Sequence, residues 1–164
     1  MPQKKVEWDL TERESFWGDI YFGGNVKASV VYDTGSDWIA VEGGDCTTCY
    51  GVYRPSKSEG NPRRVYNRDY VFRTYGSKTH GGDEYLDTVC FNEDSSSCVE
   101  DFMFWVTEKR IFSENGGPSG LLGLSRNHPT YVLESTTNRT GPLLTEKAAK
   151  EGVISANKFS FYLR

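Results

Sequence analysis

Asp33-Thr34-Gly35-Ser36 sets a carboxylate, a hydroxyl and a glycine at the end of an apolar run. The preceding residues, Val26-Lys27-Ala28-Ser29-Val30-Val31-Tyr32, are rich in β-branched and aromatic side chains and read as a half-buried strand. A carboxylate at the end of that strand, followed by Gly, stands where backbone can approach a ligand closely. One such carboxylate is ordinary turn chemistry, since Asp and Gly both suit tight turns. Two held face to face can divide the work of acid and base on a water molecule. The chain carries one copy of the motif: neither Asp87-Thr88-Val89 nor Asp94-Ser95-Ser96 has the required Gly.

The elements that must position Asp33 are mostly strands. Val6-Glu7-Trp8-Asp9-Leu10 alternates and suits a sheet edge or an interface. Phe16 to Phe22 reads as a strand ending in a turn at Gly23-Gly24-Asn25, from which Val26–Tyr32 returns as a hairpin. Trp38-Ile39-Ala40-Val41 is a short strand, followed by a polar loop over 42–64 that contains two cysteines. Tyr70–Tyr75 and Glu84–Phe91 flank a polar, Gly-rich tip, 76–83, and predict a second, more exposed hairpin. Asp101–Thr107 is a further strand, and Gly120-Leu121-Leu122-Gly123-Leu124 is a buried, tightly packed run. One helix is predicted over Leu143–Lys150, with Thr140 as cap, Pro142 in the first turn and Gly152 as terminator. Leu143, Leu144 and Ala148 share its buried face, and Phe159–Leu163 is the last strand.

Composition agrees with a mostly β domain. The chain has 164 residues, enough for one domain with a real core, and 14% of them are aromatic. A net charge of −4 without long charged runs argues against a nucleic-acid partner, and no stretch has the apolar length of a membrane span. Met1-Pro2-Gln3-Lys4-Lys5 leads into charged sequence without an apolar signal region. The expectation is a cytosolic chain, or a mature or excised piece of a longer one. Four cysteines fall as Cys46-x2-Cys49 and Cys90-x7-Cys98, two local pairs that each can close a loop. A zinc site needs four converging ligands, and His80 and His128 are poorly placed to help, so disulfides Cys46–Cys49 and Cys90–Cys98 are preferred and no metal is expected. Asn138-Arg139-Thr140 is a glycosylation sequon, which operates only in the secretory pathway.

The ordered set of motifs resembles the amino-terminal lobe of pepsin-like aspartic proteases over nearly the whole chain. Phe16-Trp17-Gly18-Asp19-Ile20-Tyr21-Phe22-Gly23 is similar to the family's first hairpin strand, and Val30 to Ser36 to its catalytic loop. Tyr75-Gly76-Ser77 is similar to the flap tip, and Leu121-Leu122-Gly123-Leu124 to the apolar signature behind the active Asp. Gly141 to Leu144 and Phe159 to Leu163 resemble the helix and strand that close the lobe.

The resemblance implies a single β-barrel lobe with one or two short helices, spanning 1–164, with the second lobe absent. It implies no cofactor and an extended peptide as substrate. Asp33 becomes this lobe's catalytic carboxylate. Thr34 braces paired loops, Gly35 permits close packing and Ser36 hydrogen-bonds the carboxylate. Tyr75, Gly76 and Ser77 close over the peptide, and Ile111 and Phe112 line the pocket preceding the cleavage site. Some positions depart from the pattern. Ala40 occupies the place of a Trp whose indole hydrogen-bonds the flap Tyr in many members, and Trp38 is expected on the opposite strand face. Lys78 replaces a second flap Gly, and Ser119 a frequent Asp. The four Trp are read as packing residues and His80 as a surface residue.

Two functions follow. The first is an aspartic endopeptidase lobe, inert alone and catalytic beside a second Asp-bearing lobe from another chain, a continuation or a second copy. The other is a non-catalytic binding or scaffold subunit. For a processed piece of a longer protein, the resemblance with the disulfides and sequon places it in the secretory or endolysosomal pathway.

Overall fold

The computed structural model describes residues 4–7, 14–46, 49, 52–65, 70–75, 78–111, 117–126 and 141–161. Among these, nine strands form one sheet: β1 (Lys4–Glu7), β2 (Glu14–Phe22), β3 (Val26–Asp33), β4 (Ile39–Glu42), β5 (Arg63–Arg64), β6 (Val71–Tyr75), β7 (Lys78–Cys90), β8 (Cys98–Thr107) and β9 (Gly120–Gly123). The order is β1-β2-β3-β9-β4-β8-β7-β5, with β6 also paired to β7. β2 pairs β7 as well, through Tyr21 opposite Cys90 and Phe22 opposite Val89. That pairing carries the path β2-β3-β9-β4-β8-β7 back to β2, so the sheet closes into a barrel and hides most of its edges.

Alternation sorts the side chains onto two faces. Ile20, Phe22, Ala28, Val30, Ile39, Val41, Phe102, Phe104 and Leu122 are buried in one cluster that fills the barrel. The residues between them on β4, β8 and β9, namely Ala40, Trp105 and Leu121, point the other way and pack with Trp38 and Ile111 in a second, smaller cluster. The packing expectation thus holds for Trp38 and Trp105, both buried.

Tyr53, fully buried, packs edge-on against Phe22, Phe104 and Tyr85 and fastens the 42–64 connection to the barrel. Both predicted disulfides, Cys46–Cys49 and Cys90–Cys98, are formed. A short helix, α1 (Leu144–Lys150), lays Leu144 and Ala148 on the barrel core, with Leu143 also buried.

Several predicted boundaries shift. The second hairpin has no long tip: β6 and β7 pair as far as Tyr75 opposite Lys78, so 78–83 belong to a strand. Gly81 and Gly82 are there for close approach and not for a turn. A Cβ on Gly81 would meet the Tyr70 ring, and one on Gly82 would stand 2.1 Å from the Val106 carbonyl oxygen. The helix cap is Leu143, without a side-chain hydrogen bond, and Pro142 precedes it; Thr140 lies outside the described residues. In the predicted last strand, 159–161 make no sheet pairing among the described residues, and 162–163 lie outside them. Of the first predicted strand, Trp8, Asp9 and Leu10 lie outside as well. His80 is buried, 4% exposed, and not a surface residue: it lies within the paired part of the hairpin, opposite the buried Arg73 on β6.

Candidate active site

β3 delivers Asp33 to the barrel end, and β9 fixes the strand's position there. β9 runs between β3 and β4, parallel to the first and antiparallel to the second, with Asp33 opposite Gly123. Beyond the ladder, the Leu124 N–H donates to the Asp33 carbonyl at 2.7 Å, the Ser125 N–H to the Ser36 carbonyl at 2.9 Å, and the Gly123 N–H to the Trp38 carbonyl at 3.1 Å. Both sides of the 34–38 loop are therefore tied to one short strand. The contact leaves no room for a side chain on Gly123, where a Cβ would lie 2.3 Å from the Asp37 carbonyl carbon. Asp37 in turn accepts the Gly141 N–H at 2.7 Å, which anchors the loop to the segment entering α1.

The Gly35 N–H donates to Asp33 Oδ1 at 2.9 Å, a local turn that orients the carboxylate. Asp33 is half-buried, while Thr34 and Gly35 are exposed beside it. The Ser36 Oγ is buried and has no hydrogen-bond partner among the described residues, so the Ser36–carboxylate bond that the resemblance implies is not formed here; the Gly35 N–H is the donor that Asp33 Oδ1 receives. The neighbouring Tyr32 phenol is pushed up by burial, with Asp19 adding to the effect, so Tyr32 stays neutral.

Asp33 stands two residues beyond Val31 and so on the same strand face, the one packed on the smaller cluster of Trp38, Ala40, Trp105, Ile111 and Leu121. Ile111 is buried in that cluster, and its N–H donates to Glu42 Oε1 at 3.1 Å. Tyr75 closes β6 at the end of the hairpin. Gly76, Ser77, Phe112 and Asn138 lie outside the described residues.

Trp38 and Ala40 share a face, contrary to the expectation that they oppose. Positions two apart in extended chain point the same way, and both side chains lie in the one cluster. Over that cluster sit two charged residues with no place in the sequence reading. Arg73 on β6 and Glu84 on β7 are buried and joined to each other, and the guanidinium lies over the Trp38 ring. A clue existed in their opposite charges on two strands of one hairpin, but only the register shows that they meet.

A lone carboxylate in this setting can take or give one proton, and cannot serve as acid and base together. Among the described residues no cluster of His, Cys, Asp and Glu is arranged to hold a metal, and no helix is long and apolar enough to cross a membrane. In comparisons with known proteins, the family model described as eukaryotic aspartyl protease matches residues 15–164. No curated protein matches the chain.

Proposed function

The chain belongs to the eukaryotic aspartyl protease family, and from that premise we propose that residues 1–164 are the amino-terminal lobe of an endopeptidase with Asp33 as one of its two catalytic carboxylates. The observation that supports it most is the setting of Asp33: ordered by the Gly35 N–H, half-buried, with Thr34 and Gly35 exposed where a second loop can pack.

The facing carboxylate comes from a second Asp-bearing lobe, whether a further chain, a continuation of this one or a second copy. Like charges about 3 Å apart cannot both ionise, so the pair holds one proton between them. The ionised member removes a proton from water, whose oxygen attacks the peptide carbonyl carbon. The protonated member donates to the carbonyl oxygen. Collapse of the resulting gem-diol, with proton transfer to the amide nitrogen, breaks the C–N bond. Tyr75, Gly76 and Ser77 cover the extended peptide in this reading, and Ile111 and Phe112 bound a side-chain pocket. The two disulfides support action in an oxidising compartment, the secretory or endolysosomal route.

A non-catalytic scaffold is the second reading, favoured by the exposed aromatic pair Phe159 and Phe161. One experiment separates the two: solution mass together with peptide cleavage from about pH 3 to about pH 6, with Asp33→Asn as control. The protease reading expects activity only from a paired species, reduced at least about a hundredfold by the substitution. Cleavage indifferent to Asp33, or a paired species that is inert throughout, removes that reading and leaves the scaffold.

A further inference from the structure

Beneath the β6–β7 hairpin lies an ion pair that the proposed chemistry does not use. Arg73 on β6 and Glu84 on β7 meet at 2.5 Å, their side chains 5% and 1% exposed. The guanidinium carbon stands 3.7 Å from the Trp38 ring centroid and 5.0 Å from that of Trp105. One planar cation thus touches three parts of the molecule. Glu84 belongs to the hairpin, Trp105 to β8 opposite Glu84 in register, and Trp38 to the loop that begins at Asp33.

Burying two charges costs desolvation that an apolar pair of similar volume would avoid, so stability alone is a poor account of them. What the pair supplies is direction. A guanidinium that stacks on one partner and hydrogen-bonds another fixes both distance and plane, which neither an aliphatic side chain nor a lysine does.

We propose that Arg73 is a positioning residue that clasps the β6–β7 hairpin onto the Asp33 loop through Trp38. Ala40 offers no indole to hold the hairpin, and the cation on the neighbouring Trp38 takes that place. Tyr75 ends β6 two residues beyond Arg73, so the clasp sets where the hairpin's end stands relative to Asp33. This rests on reading the hairpin as a cover over Asp33, but the clasp itself can be tested without substrate.

Hydrogen exchange on the whole chain is the measurement. The variants are Arg73→Met, Arg73→Lys and Glu84→Gln, with Val99→Ala as a core-destabilised control matched by urea midpoint. A clasp predicts that in Arg73→Met the amides of β6 and of the paired part of β7 exchange about tenfold faster or more, beyond their change in the control. The amides of β2 and β3 should change only as they do in the control. Arg73→Lys keeps the charge and loses the stack, so it should leave the hairpin partly deprotected. Hairpin and barrel amides rising together, or full protection in Arg73→Lys, would overturn the proposal. If Arg73→Met does not fold, Glu84→Gln, which keeps shape and removes the charge, carries the same comparison. Since no substrate enters, loss of the protease reading leaves either outcome interpretable.

Discussion

Asp87 is a buried carboxylate that accepts three hydrogen bonds, and it shows how single residues hold the 53–60 segment. Its Oδ2 accepts from the Tyr53 hydroxyl at 2.9 Å and the Ser58 hydroxyl at 2.6 Å, and its Oδ1 from the Thr88 N–H at 2.8 Å. Burial, and then the Asp87 charge, push the Tyr53 phenol far above the ordinary 10.0. Burial, with the hydrogen bond to Glu108 adding to it, pushes the Tyr70 phenol up to about 12. A folded-state pKa above the unfolded value means that the native protein keeps a proton the unfolded chain has released. Stability is therefore intact below pH 10 and falls as pH rises past it. Urea midpoints taken up to about pH 11 should drop with pH, at a limiting slope of about 1.4 kcal/mol per unit for the buried Tyr53. Tyr53→Phe should cost about 1–3 kcal/mol at neutral pH, from the donor lost at a buried carboxylate, yet give a shallower alkaline decline. An unchanged slope in that variant would clear Tyr53 of the effect. The Asp33 motif was legible at this scale because its chemistry lies in four consecutive residues. The Arg73–Glu84 pair was not, because it exists only after two strands have paired.

Among elements, the placement of β9 between β3 and β4 decides where the site stands. Its four residues, all buried, pair on both sides, and the 34–38 loop closes over its end. Gly123→Ala tests this directly, since the new methyl group would press on the Asp37 backbone, which cannot swing aside as a flexible side chain would. The expected loss is about 1–3 kcal/mol, seen as a lower urea midpoint at unchanged denaturant slope, with displaced amide resonances concentrated at 33–38. A midpoint equal to wild type would mean that the loop has slack. Strand identities were readable from alternation, as at Ile20, Phe22, Ala28 and Val30, since one face of each strand fills the barrel. Topology was not, because β3 and β9 are far apart in sequence and no local feature records that they pair. Glycine also misled: in the second hairpin it marks ring and backbone contact inside a strand, whereas in sequence it reads as a turn.

At the scale of the whole molecule, the barrel buries its core and leaves an apolar groove open among the described residues. Tyr32, Leu122, Leu124, Leu144, Phe159 and Phe161 are among the residues that line it. Phe159 and Phe161 are 47% and 42% exposed, they stack edge to face, and Phe161 also meets the Tyr32 ring at 6.1 Å. Tyr32 precedes Asp33 on β3, so one wall of the groove belongs to the strand that carries the candidate carboxylate. The strand predicted at 159–163 reads as one because its residues suit a sheet, yet 159–161 find no pairing partner among the described residues. Under the proposed function, lobe pairing covers these rings and supplies that partner. Burying a large apolar side chain is worth about 1.5–3 kcal/mol, and each Phe is already half covered. Replacing both with Ser should therefore weaken lobe association roughly tenfold to a hundredfold, read as a shift in the sedimentation isotherm of the paired species. By the same arithmetic the covered half of each ring stabilises the unpaired chain, so its own urea midpoint should also fall, by the equivalent of about 1.5–3 kcal/mol for the pair. Cleavage should fall in proportion to the paired fraction and recover at higher protein concentration, which separates lost pairing from a damaged Asp33. Association unchanged by both substitutions would place the pairing face elsewhere on the barrel.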